Sequence, residues 1–228
     1  MASAREDDET DQSPVTGWAA IAVTLGGVVA AALPHFFLEQ PIALYKDGQT
    51  GPWVGLTTWV PTFLAAVGIF CGADFKSRLD EPLVDSDDGS AAAVVLAPVV
   101  ATVAFALLNF DGRQHVGAWS ELGLAMAVYG ATYGLAPLFW QGFVQHHALE
   151  KVPWWGRVVI VAVLGAAIWL PYLTTGGWSG IQGLVIEHLI LFASLAVVYE
   201  FGASVASTML AGLFIGVGWA FAHQMTFF

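Results

Sequence analysis

The chain has 228 residues, and seven Lys and Arg against eighteen Asp and Glu give it a formal net charge of −11; 57% of it is hydrophobic and only 11% is charged. Soluble domains carry about 25% charged residues, so the composition points away from a soluble globular fold. The acidic balance argues against nucleic acid, which demands basic patches, and the single cysteine, Cys71, leaves neither an intrachain disulfide nor a cysteine-based zinc site.

The first 16 residues read as a disordered acidic tail, with Glu6, Asp7, Asp8, Glu9 and Asp11 close together. No basic n-region precedes the first apolar stretch, so that stretch does not read as a signal peptide. Residues 17–228 then read as one transmembrane helical domain. A helix needs roughly 20 apolar residues to cross the hydrocarbon core, and lipid-exposed backbone must satisfy its own hydrogen bonds. Seven stretches meet the length requirement and lack the alternation of barrel strands: 17–38, 53–72, 90–110, 117–147, 154–173, 178–200 and 202–223. The fold class expected is therefore all-α, a polytopic bundle of about seven spans. Pro61, Pro98, Pro137 and Pro171 lie within these stretches, where neighbouring helices can cover the freed backbone groups. Trp18, Trp53, Trp119, Trp154, Trp155 and Trp178 fall at stretch ends, as an interfacial belt would place them.

Six further acids crowd the loop between Asp74 and Asp88. Acid-rich exposed segments suit proteins that must stay hydrated in concentrated salt, and a halophilic archaeal source is expected. With seven spans, one side carries Arg5, Lys76, Arg78, Lys151 and Arg157, and the other Lys46 and Arg113. The excess of positive residues belongs in the cytoplasm, which places the N-terminus inside, the C-terminus outside and the chain in the plasma membrane. Gly130 with Gly134, and Gly212 with Gly216, each form a Gly-x-x-x-Gly step that allows close helix approach; intrachain packing is the expected use, in preference to dimerisation.

Ionisable groups inside a bilayer are functional candidates by default. Glu187 and His188 lie mid-stretch in the sixth span. Gly180, Gly183, Glu187 and Ser194 share a small, polar face that should turn inward, while His188 shares a face with Ile181, Val185, Phe192 and Leu195. Adjacent helical residues point about 100° apart, so the two cannot squarely face one point. Glu187 reads either as a buried carboxyl held by a Tyr or His of another helix, or as part of a proton or ion path. His35, Glu39, His146, His147 and His223 lie near stretch ends, where solvation or a three-histidine metal site are the two readings. No His-Glu-x-x-His motif, Gly-x-Ser-x-Gly elbow or phosphate loop occurs. A retinal protein would need a lysine in the last span, and the lysines are Lys46, Lys76 and Lys151, all in loops.

The run Phe139-Trp140-Gln141-Gly142-Phe143-Val144-Gln145, the following Pro153-Trp154-Trp155 and the later Val198-Tyr199-Glu200-Phe201-Gly202-Ala203-Ser204 form an ordered series. In this series the chain resembles the CAAX-protease and bacteriocin-processing (CPBP) family of intramembrane proteases, over about residues 117–223. The family's Glu-Glu-x-x-x-Arg motif would align its glutamates with Ala136 and Pro137 and its arginine with Gln141. Its Phe-x-x-x-His motif would fall near Ile168 to Tyr172, and its last His and Asn near Ala211 and Ile215. The resemblance thus implies a CPBP-like helical core whose water-activating Glu and His groups are missing, since neither Ala136 nor Pro137 can act as a general base. Glu187 matches no family motif. The expectation is a catalytically inactive relative, without a cofactor, that binds a membrane protein or peptide as scaffold, chaperone or regulator. The expected pocket is mostly apolar, formed by Ala136, Pro137, Ile168 and Ala211 with Gln141 as its one polar group. The alternatives are an active membrane hydrolase with displaced groups, such as Glu187 with a histidine, and a small-solute or proton carrier centred on Glu187.

Overall fold

A computed structural model describes residues 17–32, 88–108, 119–170, 173–202 and 204–224 of the chain. The second apolar stretch, Cys71, His35, Glu39, the acidic tail and Pro171 lie outside the described residues.

Within them every regular element is helical: α1 (Gly17–Ala32), α2 (Asp88–Leu108), α3 (Trp119–Phe139), a π-helical segment (Trp140–Ala148), α4 (Trp154–Ala167), α5 (Leu173–Gly202) and α6 (Val205–Gln224). Two helical stretches are long and apolar enough to cross a membrane, Gln182–Phe201 and Val205–Ala222, and two shorter apolar helices are Ala92–Leu108 and Trp154–Ala167.

Local chemistry accounts for several boundaries. Ser204 caps α6: its hydroxyl accepts from the backbone N–H of Ser207 at 3.0 Å, and its carbonyl accepts from the Thr208 hydroxyl at 2.9 Å. Pro153, in extended geometry, precedes α4, and its carbonyl accepts the first helical bond, from Arg157 N–H. After Ala167 the chain tightens, Trp169 N–H donating to Ala166 O, so the fifth stretch ends as a helix earlier than its apolar length predicts. Gly177 takes φ 62° and ψ 179°, a left-handed break inside α5 that leaves Trp178 to begin the regular part.

The fourth stretch departs most from expectation. It reads as one α-helix, but after Phe139 it widens into a π-helix for nine residues. Leu149 N–H closes the segment by donating to Val144 O, five residues back, at 3.0 Å. Such insertions are rare and concentrate at functional sites.

α3 and α6 form the closest pair. The glycine steps meet each other: a Cβ on Gly212 would strike the Tyr133 carbonyl, with Gly134 Cα at 3.4 Å, and a Cβ on Gly216 would strike the Tyr129 carbonyl, with Gly130 Cα at 3.0 Å. The Tyr133 carbonyl is the one that Pro137, four residues on and without an N–H, cannot serve. Gly212 is where α6 approaches it. These contacts run α3 and α6 in opposite directions. α4 packs along α5, α2 packs on α5 and α6, and α1 touches the bundle through the π segment and α4.

Candidate functional site

The core holds two polar layers, both built by α3 with its π extension, α5 and a third helix. In the upper layer Glu187 and His188 are 2% and 0% exposed. Trp219 of α6 donates its indole N–H to Glu187 Oε2 at 2.9 Å. His188 lies 2.8 Å by Nδ1 from the Leu184 carbonyl and 2.7 Å by Nε2 from the Tyr133 hydroxyl. A carbonyl only accepts, so Nδ1 carries a hydrogen, and Nε2 is paired with the Tyr133 hydroxyl.

Aromatic rings enclose the pair. The Trp219 indole stands edge-on to Tyr129 at 4.4 Å and to Tyr133 at 5.9 Å, and Trp169 lies 4.8 Å from the His188 ring. The close α3–α6 approach over the glycines permits this arrangement. The two adjacent residues bond different groups, Glu187 the Trp219 indole and His188 the Tyr133 hydroxyl, and both border the same indole. Glu187 bonds the indole edge while the His188 ring lies 6.0 Å from the same indole, because one Trp side chain is wide enough to meet both. The expected small, inward face is corrected at Gly183, which is exposed with nothing near its Cβ position.

The lower layer lies about one dozen residues along α5, roughly 18–20 Å away at 1.5 Å per residue. Gln145 Nε2 donates to Ala196 O at 3.1 Å and to Glu200 Oε1 at 2.6 Å. Arg157 of α4 donates to Glu200 Oε2 at 2.8 Å, closing an ion pair that is largely shielded on the Glu200 side. His146 Nδ1 and the Tyr199 hydroxyl share a bond of 3.0 Å. His146 is thus committed to a tyrosine, and among the described residues no three His, Cys, Asp or Glu side chains come together as a metal site.

No family model, no curated protein and no solved structure matches the chain. The site therefore has to be read from its own residues.

Ala136 and Pro137 occupy the last turn of α3, and Gln141 is the second residue of the π segment; all three are buried. Ile168 and Ala211 are fully buried too. The π segment that carries Gln141 packs on α1, α4 and α5, and only lightly on α6. Neither the Gln141 amide nitrogen nor its oxygen has a hydrogen-bond partner. Sequence reasoning missed the lower layer: Arg157 reads there only as a loop charge, Gln145 and Glu200 only as parts of quoted runs. The available signal was an Arg and a Glu each inside the first or last turn of an apolar stretch, where an unpaired charge is costly.

Proposed function

We propose that this chain is a multi-pass plasma-membrane protein of about seven spans with a cytoplasmic N-terminus. In this reading its C-terminal core is CPBP-like without the family's catalytic groups, and it binds a membrane protein or peptide rather than cutting it. The observation that carries the family part is the meeting of the two resembling runs. Residues 139–145 and 198–204 lie far apart in sequence, yet Gln145 bonds Glu200, and the neighbouring His146 bonds Tyr199. Two chance resemblances would have no reason to share one polar layer.

The membrane part is supported by an apolar outer surface around a core that also holds polar groups. The interior holds Gln141, Gln145, Glu187, His188, Ser207 and Thr208, while Leu107 is 73% and Val100 63% exposed. Aliphatic side chains on the outside need lipid or a partner to cover them. The alternating directions of α3, α4, α5 and α6 fit consecutive spans, and on this topology the Arg157–Glu200 layer lies toward the cytoplasm.

Inactivity rests on residue identity. Ala136 and Pro137 supply no base, and Gln141 supplies at most a weak donor for a developing oxyanion. Purified protein in liposomes is expected to cleave no membrane peptide. Ala136→Glu with Pro137→Glu should create no activity, because the family's histidines are absent too, and should instead destabilise the protein by burying unpaired carboxylates. Cleavage by the wild type that Gln141→Ala abolishes would overturn this reading.

Glu187 supports a second reading, a proton or small-solute carrier, because a carboxyl and an imidazole are held together deep between helices. A proton flux into liposomes that Glu187→Gln stops would favour it over the binding protein.

A further inference from the structure

We propose that Gln141 and Gln145 form a recognition site for one peptide unit of a transmembrane partner, at a place where the partner's own helix is locally broken. The inference rests on the peptide-binding reading above and names the group that does the binding.

Gln141 is 0% exposed and both ends of its amide are unpartnered; Gln145 is equally buried, and its Oε1 is unpartnered while its Nε2 holds Ala196 and Glu200. The two residues stand four apart, within one turn of the π segment. Nearly all buried polar side-chain atoms find a partner, and an unmet amide is destabilising. The unmet Gln141 amide and Gln145 oxygen sit together on the one π-helical segment among the described residues, a place that suits a group able both to donate and to accept.

The donor and acceptor count selects the ligand class. A lipid ester carbonyl only accepts and would meet Gln141 Nε2 alone. A cation would meet only the two oxygens. A peptide unit offers an N–H and a C=O together, so it can satisfy the nitrogen and one oxygen at once. A regular transmembrane helix has no such unit to spare, because its backbone bonds are internal. A helix loosened by glycine does.

Access lies past α1. That helix meets the bundle chiefly at the π segment and α4, by a stripe that includes Thr24, Gly27 and Val28, and the Phe139 ring at the end of α3 occupies the space a Gly27 side chain would take. Displacing α1 opens the π segment without disturbing the α3–α6 pair.

The test uses the full chain in phosphatidylcholine vesicles. The probe is a fluorescent single-span peptide of Leu and Ala with a central Gly-Gly step, and the control is its Leu-Leu counterpart. Binding is read by energy transfer to an acceptor on the protein's N-terminus. The wild type is expected to bind the Gly-Gly peptide about tenfold more tightly than Gln141→Leu does, a difference of one hydrogen-bonded pair, with no such difference for the Leu-Leu peptide. Gln141→Met, closer in volume, should behave as Gln141→Leu if the latter folds poorly. In detergent both variants should melt about 2–4 °C higher than the wild type, because an unmet amide has been removed. Equal binding of the Gly-Gly peptide by wild type and variants would overturn the recognition site and leave the peptide-binding reading standing. A lower melting point for both variants would also overturn it, since the amide would then be satisfied internally. Failure of the wild type to bind either peptide would overturn the peptide-binding reading and the site together.

Discussion

At the scale of single residues, the two polar layers differ in what their bonds protect. In the upper layer the Trp219 indole N–H is directed at the Glu187 carboxyl. Trp219→Phe removes that donor and opens space among Tyr129, Tyr133 and His188, so it should lower the melting point by far more than Glu187→Gln, whose amide oxygen still accepts. Tyr133→Phe takes the hydroxyl from His188 Nε2 and should cost about 1–3 kcal/mol, the usual penalty for leaving a buried polar group unmet. In the lower layer, Glu200→Ala strands Arg157 and one hydrogen of Gln145 together. Breaking a buried pair costs about 3–5 kcal/mol, but Arg157 is 24% exposed and can reach water, so about 1–3 kcal/mol is expected here. Arg157→Met combined with Glu200→Leu should recover most of it. Thermal unfolding in detergent reads all of these, and a double variant no better than Glu200→Ala would show that the layer is held by something other than the pair.

At the scale of elements, the α3–α6 contact sorts the four glycines. Gly212 and Gly216 face backbone carbonyls, which cannot move aside, whereas Gly130 faces the Val217 methyl at 3.2 Å and Gly134 faces Leu213 Cβ at 3.4 Å. Leucine at any of the four should destabilise, by about 1–3 kcal/mol where side chains can repack and by more at 212 and 216. Even Gly212→Ala should be costly, while Gly134→Ala should be mild. Equal effects at all four positions, in the same melting assay, would mean that the helices do not approach as closely as these contacts require. The outer apolar groove between α2, α3 and α6, about 560 Å³ and lined by Val95, Val99, Met126, Phe214 and Phe221, lies beside this contact.

At the scale of the whole molecule, the proposed seven spans can be tested by topology. The basic-residue bias and seven apolar stretches predict a cytoplasmic N-terminus and an external C-terminus. Reporter fusions at both ends should show opposite sides; activity of the same reporter at both ends would mean an even number of spans. The alternation of α3 to α6 makes a further demand, because a tag inserted between α3 and α4 must lie on the same side as one between α5 and α6.

Among the described residues, the sequence by itself determined the all-helical class and the approximate helix positions, because hydrophobic length is a local property that a run of side chains carries whatever surrounds it. It also marked Glu187 as turned inward and the glycine steps as sites of close approach, since charge in an apolar run and absent side chains are visible residue by residue; the complete burial of His188 came from packing. It did not determine partners. These helices are apolar on nearly every side, so no periodicity says which face turns inward, and only packing decided that Gly212 would meet Tyr133 or that Trp219 would reach Glu187 across 32 residues. The π segment was equally illegible: Trp140 to Ala148 is unremarkable as helix, and its hydrogen bonds to the fifth residue back became apparent only with the neighbouring helices in place. Whether a polar side chain is met or left waiting, as at Gln145 and Gln141, depends on atoms that other segments bring, and tertiary structure alone supplies those.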